Sequence, residues 1–106
     1  MKLGILVTTN DPELVWNVFR LAIFSLAEKD EVKIFFMSKG VEYDQIKHET
    51  FDVLKMAKDY LTLGGKLFAC STCMELRKKP YSDLLPMATL KDLHKILREC
   101  DKVLTF

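Results

Sequence analysis

No apolar run in this 106-residue chain approaches the roughly 20 residues that a membrane-spanning helix needs, so no membrane attachment is expected. The opening run Met1 to Val7 meets the polar Thr8-Thr9-Asn10 too soon for a signal peptide, which points to a cytoplasmic protein. A dominant charge sign is also lacking. Lys and Arg number 16 against 15 Asp and Glu, and the net charge of +1 gives no global field to attract nucleic acid, so no direct nucleic-acid binding is expected. A Ser/His/Asp pattern, a glycine-rich phosphate loop and a paired-carboxylate signature are absent as well, which weakens hydrolase and nucleotide-binding readings. There is no repeat, linker or low-complexity segment. What remains is a globular composition, 49% hydrophobic and 29% charged, at a length that suits one domain spanning residues 1–106.

Residues 2–8 form a short continuous apolar run, the pattern of a strand buried on both faces of a parallel sheet. Asn10 or Asp11 then caps a helix with Pro12 in its first turn. That helix is expected to run to about Glu28, with Leu14, Val15, Val18, Phe19, Ala22 and Leu26 as the buried stripe and Trp16 and Ile23 widening it. Val32 to Phe36 read as a second strand. Residues 38–47 read as a loop leaving its carboxyl end, where open α/β sheets line their ligand crevice. A helix is expected from about His48, through Phe51, Leu54, Ala57 and Leu61, to the stop at Gly64-Gly65. Lys66 to Ala69 form a third strand, and Cys70-Ser71-Thr72-Cys73 lead into about two helical turns that Pro80 ends. Leu84-Leu85 mark a possible short strand in 81–88. Thr89 caps a last helix with Leu90, Leu93, Leu97 and Cys100 on its buried face, and Lys102 to Phe106 close with a strand. Strands alternating with helices imply a three-layer α/β/α domain with a mostly parallel sheet of about five strands.

Three cysteines, an odd number, argue against a disulfide framework and for thiol chemistry, a metal or burial. Cys70 stands where a strand meets a helix, so the helix's unpaired N–H groups and positive end favour its thiolate. Arg77, Lys78 and Lys79 lie at the far end of the same helix, a weaker influence. Cys73, one turn on, is spaced for a disulfide with Cys70 or for shared metal ligation. A closed zinc site needs four ligands, and Cys100, His48 and His94 are the sole further candidates, none in a second paired motif. No metal and no cofactor are therefore expected. Simple burial of Cys70 and Cys73 stays open, and Cys100 on an apolar face is expected to pack. His48 and His94 read as surface or capping residues. The phenylalanines Phe19, Phe24, Phe35, Phe36, Phe51 and Phe68 read as core. Tyr43 and Tyr81 are the aromatics placed near a site.

The opening strand with Thr8-Thr9-Asn10-Asp11-Pro12-Glu13, the segment Lys66-Leu67-Phe68-Ala69-Cys70-Ser71-Thr72-Cys73 after Gly64-Gly65, and the ending Cys100 to Phe106 together resemble the DsrE/DsrF-like family over nearly the whole chain. The resemblance implies a doubly wound sheet, homo- or hetero-oligomers and a cysteine at the end of the third strand, here Cys70, that takes up sulfane sulfur as a persulfide and hands it to a partner thiol. It thus implies a sulfurtransferase-like relay protein with a protein sulfur donor and acceptor. Cys73 departs from the family's single-cysteine carriers. It offers a route by which a Cys70 persulfide is attacked, sulfide released and a disulfide left. Two other readings stay open: a non-catalytic oligomeric binding domain using the loops at 38–47 and 81–88, and a Cys70/Cys73 dithiol-disulfide redox protein.

Overall fold

The computed structural model describes all residues 1–106. Strands β1 (Lys2–Val7), β2 (Glu31–Phe36), β3 (Lys66–Cys70), β4 (Met87–Ala88) and β5 (Lys102–Thr105) form one five-stranded sheet in the order β4-β3-β2-β1-β5. Every pairing is parallel. The α/β/α expectation holds, and the sheet is wholly rather than mostly parallel. Helices α1 (Pro12–Ala27), α2 (Val53–Thr62), α3 (Ser71–Leu76) and α4 (Leu90–Glu99) make the crossovers. From β1 to β4 the chain steps one way across the sheet, so right-handed crossovers put α1, α2 and α3 on one face. The step from β4 back past β1 to β5 runs the other way and puts α4 on the opposite face. A Cβ on Gly4 of β1 would lie 2.7 Å from Ile96 Cγ2, so α4 sits directly on the strand there.

The α1 cap is as expected, with the Asp11 carboxylate accepting the Leu14 N–H at 2.9 Å and Pro12 in the first turn. Val15, Val18, Phe19 and Ala22 are buried, and Ser25 joins them with its hydroxyl donating to Asp30 at 2.7 Å. Phe24 is not core: it is 65% exposed. It lies about 200° round the helix from Ala22 and lines an open groove with Leu21 and Met56. Helix α2 starts at Val53, later than expected, because His48 Nδ1 accepts the N–H groups of Thr50 and Phe51 and closes a turn first. Asp52 then caps it through the Lys55 N–H at 3.2 Å. It ends at the expected glycine stop, with Gly64 at φ +95°.

Residues 38–47 are not an irregular loop. Ser38–Gln45 form a 3-10 segment whose Gly40, Val41 and Tyr43 are buried. A Cβ on Gly40 would stand 2.1 Å from the Val7 carbonyl oxygen, so only glycine lets this segment close on the end of β1. Tyr43 is therefore core rather than a site residue; it stacks on Phe36 at 4.1 Å and donates its hydroxyl to the Leu84 carbonyl. Leu84-Leu85 are likewise no strand, since Ser82 and Leu85 exchange backbone hydrogen bonds to make a turn and β4 comes two residues later. Helix α3 stops at Leu76 rather than reaching Lys79, and Lys78 turns away with φ +51°. On α4 only Ile96 is fully buried, while Leu90 and Leu97 are 64% and 53% exposed. Cys100 is the C-terminal cap residue of that helix and, half-buried, packs as expected against the cluster beneath it. A lone helix on this face buries one line of side chains, here Ile96 with Leu93 partly buried beside it, and not a broad stripe.

Candidate functional site

The register pairs Phe36 with Ala69 and Cys70 with Ala88, so the carboxyl ends of β2, β3 and β4 come level. Cys70 closes β3 and is the cap residue of α3, and Cys73 lies one turn into that helix. The structure thus brings the two predicted site cysteines together, both as free thiols. Their surroundings differ. Cys70 points to the α4 face and is 5% exposed beneath Phe35, Ala88 and Ile96. Cys73 is half-buried, and its Sγ accepts the backbone N–H of Ser38 at 3.2 Å. Ser38 itself is exposed and sits at φ +53°, a conformation that costs a non-glycine residue energy and marks an over-determined turn. That turn is fixed on both sides, by the Met37 N–H on the Val7 carbonyl at 3.0 Å and the Gly40 N–H on the Met37 carbonyl at 2.9 Å.

The expectation that the surroundings of Cys70 favour its thiolate is corrected here, and burial, which the sequence left open, is what the structure shows. Burial is the largest influence and pushes the Cys70 thiol up from its ordinary range, and the neighbouring Cys73 thiol pushes the same way. The backbone N–H groups of Cys73 and Thr72 oppose this without overcoming it. The helix-start donors foreseen in the sequence are present, but the cover built by β2, β4 and α4 outweighs them. Burial also raises the Cys100 thiol, with Lys33 and Lys2 opposing it.

The basic residues of α3 and its exit do not serve the sulfurs. Arg77 binds Glu42 at 2.8 Å and caps the Cys73 carbonyl at 3.2 Å, and Lys79 binds Asp44 at 2.5 Å. They clamp α3 to the 3-10 segment. Glu42 also accepts the Asn10 side-chain amide at 3.2 Å, so the loop after β1 is tied into the same network. The Arg77 hydrogen bond, first among several causes, holds the Glu42 carboxyl below its usual value. Ser38 and Glu42 were missed in the sequence because neither carries a motif; the one signal was their place in the segment leaving the end of β2.

His48 and His94 are exposed and stand apart from the cysteines, and Tyr81 is also at the surface. No group of three His, Cys, Asp or Glu side chains is gathered to hold a metal, so Cys100 does not join the pair. None of the five principal pockets is lined by Cys70 or Cys73. Leu76 of α3, Met87 of β4 and Leu90 of α4 are exposed.

Fold and site together define a small doubly covered parallel α/β domain with a reduced thiol pair at the carboxyl edge of its sheet. The chain belongs to the DsrE/DsrF-like family, whose model matches residues 1–106, a family associated with sulfur relay. It is 30% identical over 114 aligned positions to an uncharacterized protein of Methanocaldococcus jannaschii, covering 100% of both chains. A second uncharacterized relative, from Methanopyrus kandleri, is 29% identical over 100 positions, 89% of this chain and 83% of that one. Among solved structures, a conserved protein of unknown function from Bacteroides thetaiotaomicron superposes with a TM-score of 0.79 at 22% identity, covering 99% of this chain and 94% of that one. That likeness speaks for the fold alone.

Proposed function

We propose that this protein is a sulfur-relay carrier that holds sulfane sulfur as a persulfide on the Cys70–Cys73 pair, with Cys70 the sheltered carrying position, and passes it to a partner thiol. The observation behind this is the meeting of two free thiols at a strand-to-helix turn, one under Phe35, Ala88 and Ile96 and the other on the Ser38 N–H. A persulfide is easily lost to stray thiols, so a covered sulfur beside an accessible one suits carriage better than either alone. The exposed Leu76, Met87 and Leu90, on the elements that carry or cover the pair, suit docking of protein donors and acceptors and association of the chain with itself. A cytoplasmic setting, where thiols stay reduced, fits the free cysteines. The nearness of the two thiols, one helical turn apart, also favours a second reading, a dithiol that cycles through a Cys70–Cys73 disulfide.

Intact-mass spectrometry with peptide mapping tests this after the reduced protein meets glutathione persulfide. Wild type is expected to gain one sulfur within the Cys70–Cys73 peptide, and a Cys70→Ser/Cys73→Ser double variant none. A wild type that gains no sulfur and forms only the disulfide would favour the redox reading. Equal gain by the double variant would end the assignment to this pair.

A further inference from the structure

The two cysteines are unequal in a way that orders them. Cys70 is 5% exposed and closed over by side chains from β2, β4 and α4, so a persulfide on a second molecule has no approach to its sulfur in the folded chain. Cys73 is half-buried, and the residue across from its sulfur, Ser38, is exposed. The Ser38 N–H reaches the Cys73 sulfur at 3.2 Å from a backbone held at φ +53°, and that backbone is braced by Val7 through Met37 and Gly40. A fixed N–H aimed at sulfur favours negative charge there, both in the thiolate that attacks and in the Cys73 thiolate that leaves when the sulfur moves on.

We infer that sulfur enters at Cys73, seated on the Ser38 N–H, and reaches Cys70 by an internal transfer. This rests on the relay function proposed above and reverses the roles that the family resemblance alone would give the two thiols. In the first step the Cys73 thiolate attacks the outer sulfur of a donor persulfide. A bond forms from Cys73 Sγ to that sulfur, the donor's S–S bond breaks, and the donor leaves as a thiolate that takes up a proton. In the second step the Cys70 thiol loses its proton to solvent, balancing the one taken up by the departed donor thiolate, and attacks the same outer sulfur, with the N–H groups of Thr72 and Cys73 favouring the anion against the burial that raises this thiol. The Cys73–sulfur bond breaks, and Cys73 returns as a thiolate. Each step moves one sulfane sulfur between thiolates, so no external oxidant or reductant is required. Delivery retraces the two steps toward an acceptor thiolate, with Cys73 as the exit.

The order is tested by loading rates and by alkylation. With glutathione persulfide as donor, Cys70→Ser is expected to gain one sulfur on Cys73 as fast as wild type and to lose it to added cyanide faster than wild type does. Cys73→Ser should load Cys70 at least about tenfold more slowly than wild type. Loading of Cys73→Ser at the wild-type rate would overturn the entry role of Cys73 while leaving the relay function standing. Absence of loading in wild type would sink the relay function itself. A readout independent of either variant's folding is the order in which iodoacetamide modifies the reduced wild type. Cys73 is expected first by about tenfold, and faster modification of Cys70 would overturn the inference.

Discussion

The two faces of the sheet are built to different depths. Under α1 and α2 lies a cluster of 19 buried residues centred on Phe19, Phe36, Tyr43 and Tyr60, whereas under α4 there are four, Phe35, Cys70, Ala88 and Ile96. The deep face carries the stability, and the thin face carries the thiol. A site on the thin side can change its cover without putting the main core at risk, because few side chains hold that cover in place. Placing Cys70 among the residues of the deep face would have sealed it permanently.

That division is exposed most strongly by truncation in the deep face. Phe19→Ala removes the ring that meets Phe36, Tyr43 and Tyr60, and urea unfolding should show a loss of about 3–5 kcal/mol with the thiol pair's reactivity unchanged while the chain stays folded. On the thin face, Ile96→Ala should cost about 2–3 kcal/mol by the same measurement and at the same time speed alkylation of Cys70. If Phe19→Ala costs no more than Ile96→Ala, the contrast in depth has no energetic meaning.

Raising the pH sharpens the comparison differently. The folded-state values of Cys70 and Cys100, and of Tyr43 and Tyr60 on the deep face, are all raised, chiefly by burial. Above the ordinary values of these groups the unfolded chain loses protons that the folded chain keeps. Stability is therefore full at neutral pH and falls as pH climbs, first above 9.0 through the thiols and then above 10.0 through the tyrosines. Thermal melts from pH 7 to 11 check this: Cys70→Ala should flatten the first part of the decline, and Tyr60→Phe the second. The smallest effect belongs to Ser38→Gly. It relieves the left-handed conformation yet keeps the N–H, so the stability read from urea unfolding should hold or rise by up to about 1 kcal/mol, with Cys73 alkylation unchanged. A fall in Cys73 reactivity would mean that more than the backbone donor seats the sulfur.

The elements of strong period and good caps were readable from residues alone: β1 from its unbroken apolar run, α1 from Asp11-Pro12 and its stripe, and the β3–α3 turn from the glycine stop before it and Pro80 after it. So was the meeting of Cys70 and Cys73. The 3-10 segment was not, because Gly40, Val41 and Tyr43 are buried by closing on the end of β1 and follow no helical or strand period. Strand β4, at two residues, is shorter than any pattern can mark. Periodicity found the apolar positions of α1 and α4 but not how wide their partners are, which left Leu14, Phe24, Leu90 and Leu97, all exposed, misjudged as buried. The burial of Cys70 was hidden for a related reason. Its cover comes from Phe35, Ala88 and Ile96, three elements that meet only once the sheet is assembled.

The makeup of that cover bears on folding. Phe35 precedes Cys70 in the chain, but Ala88 and Ile96 follow it, on the strand and helix that come later in the sequence. A chain that has not yet laid β4 and α4 across Cys70 leaves that sulfur bare, and the folded chain does not. The distinction between the two sulfurs is a product of folding, made when the last helix docks.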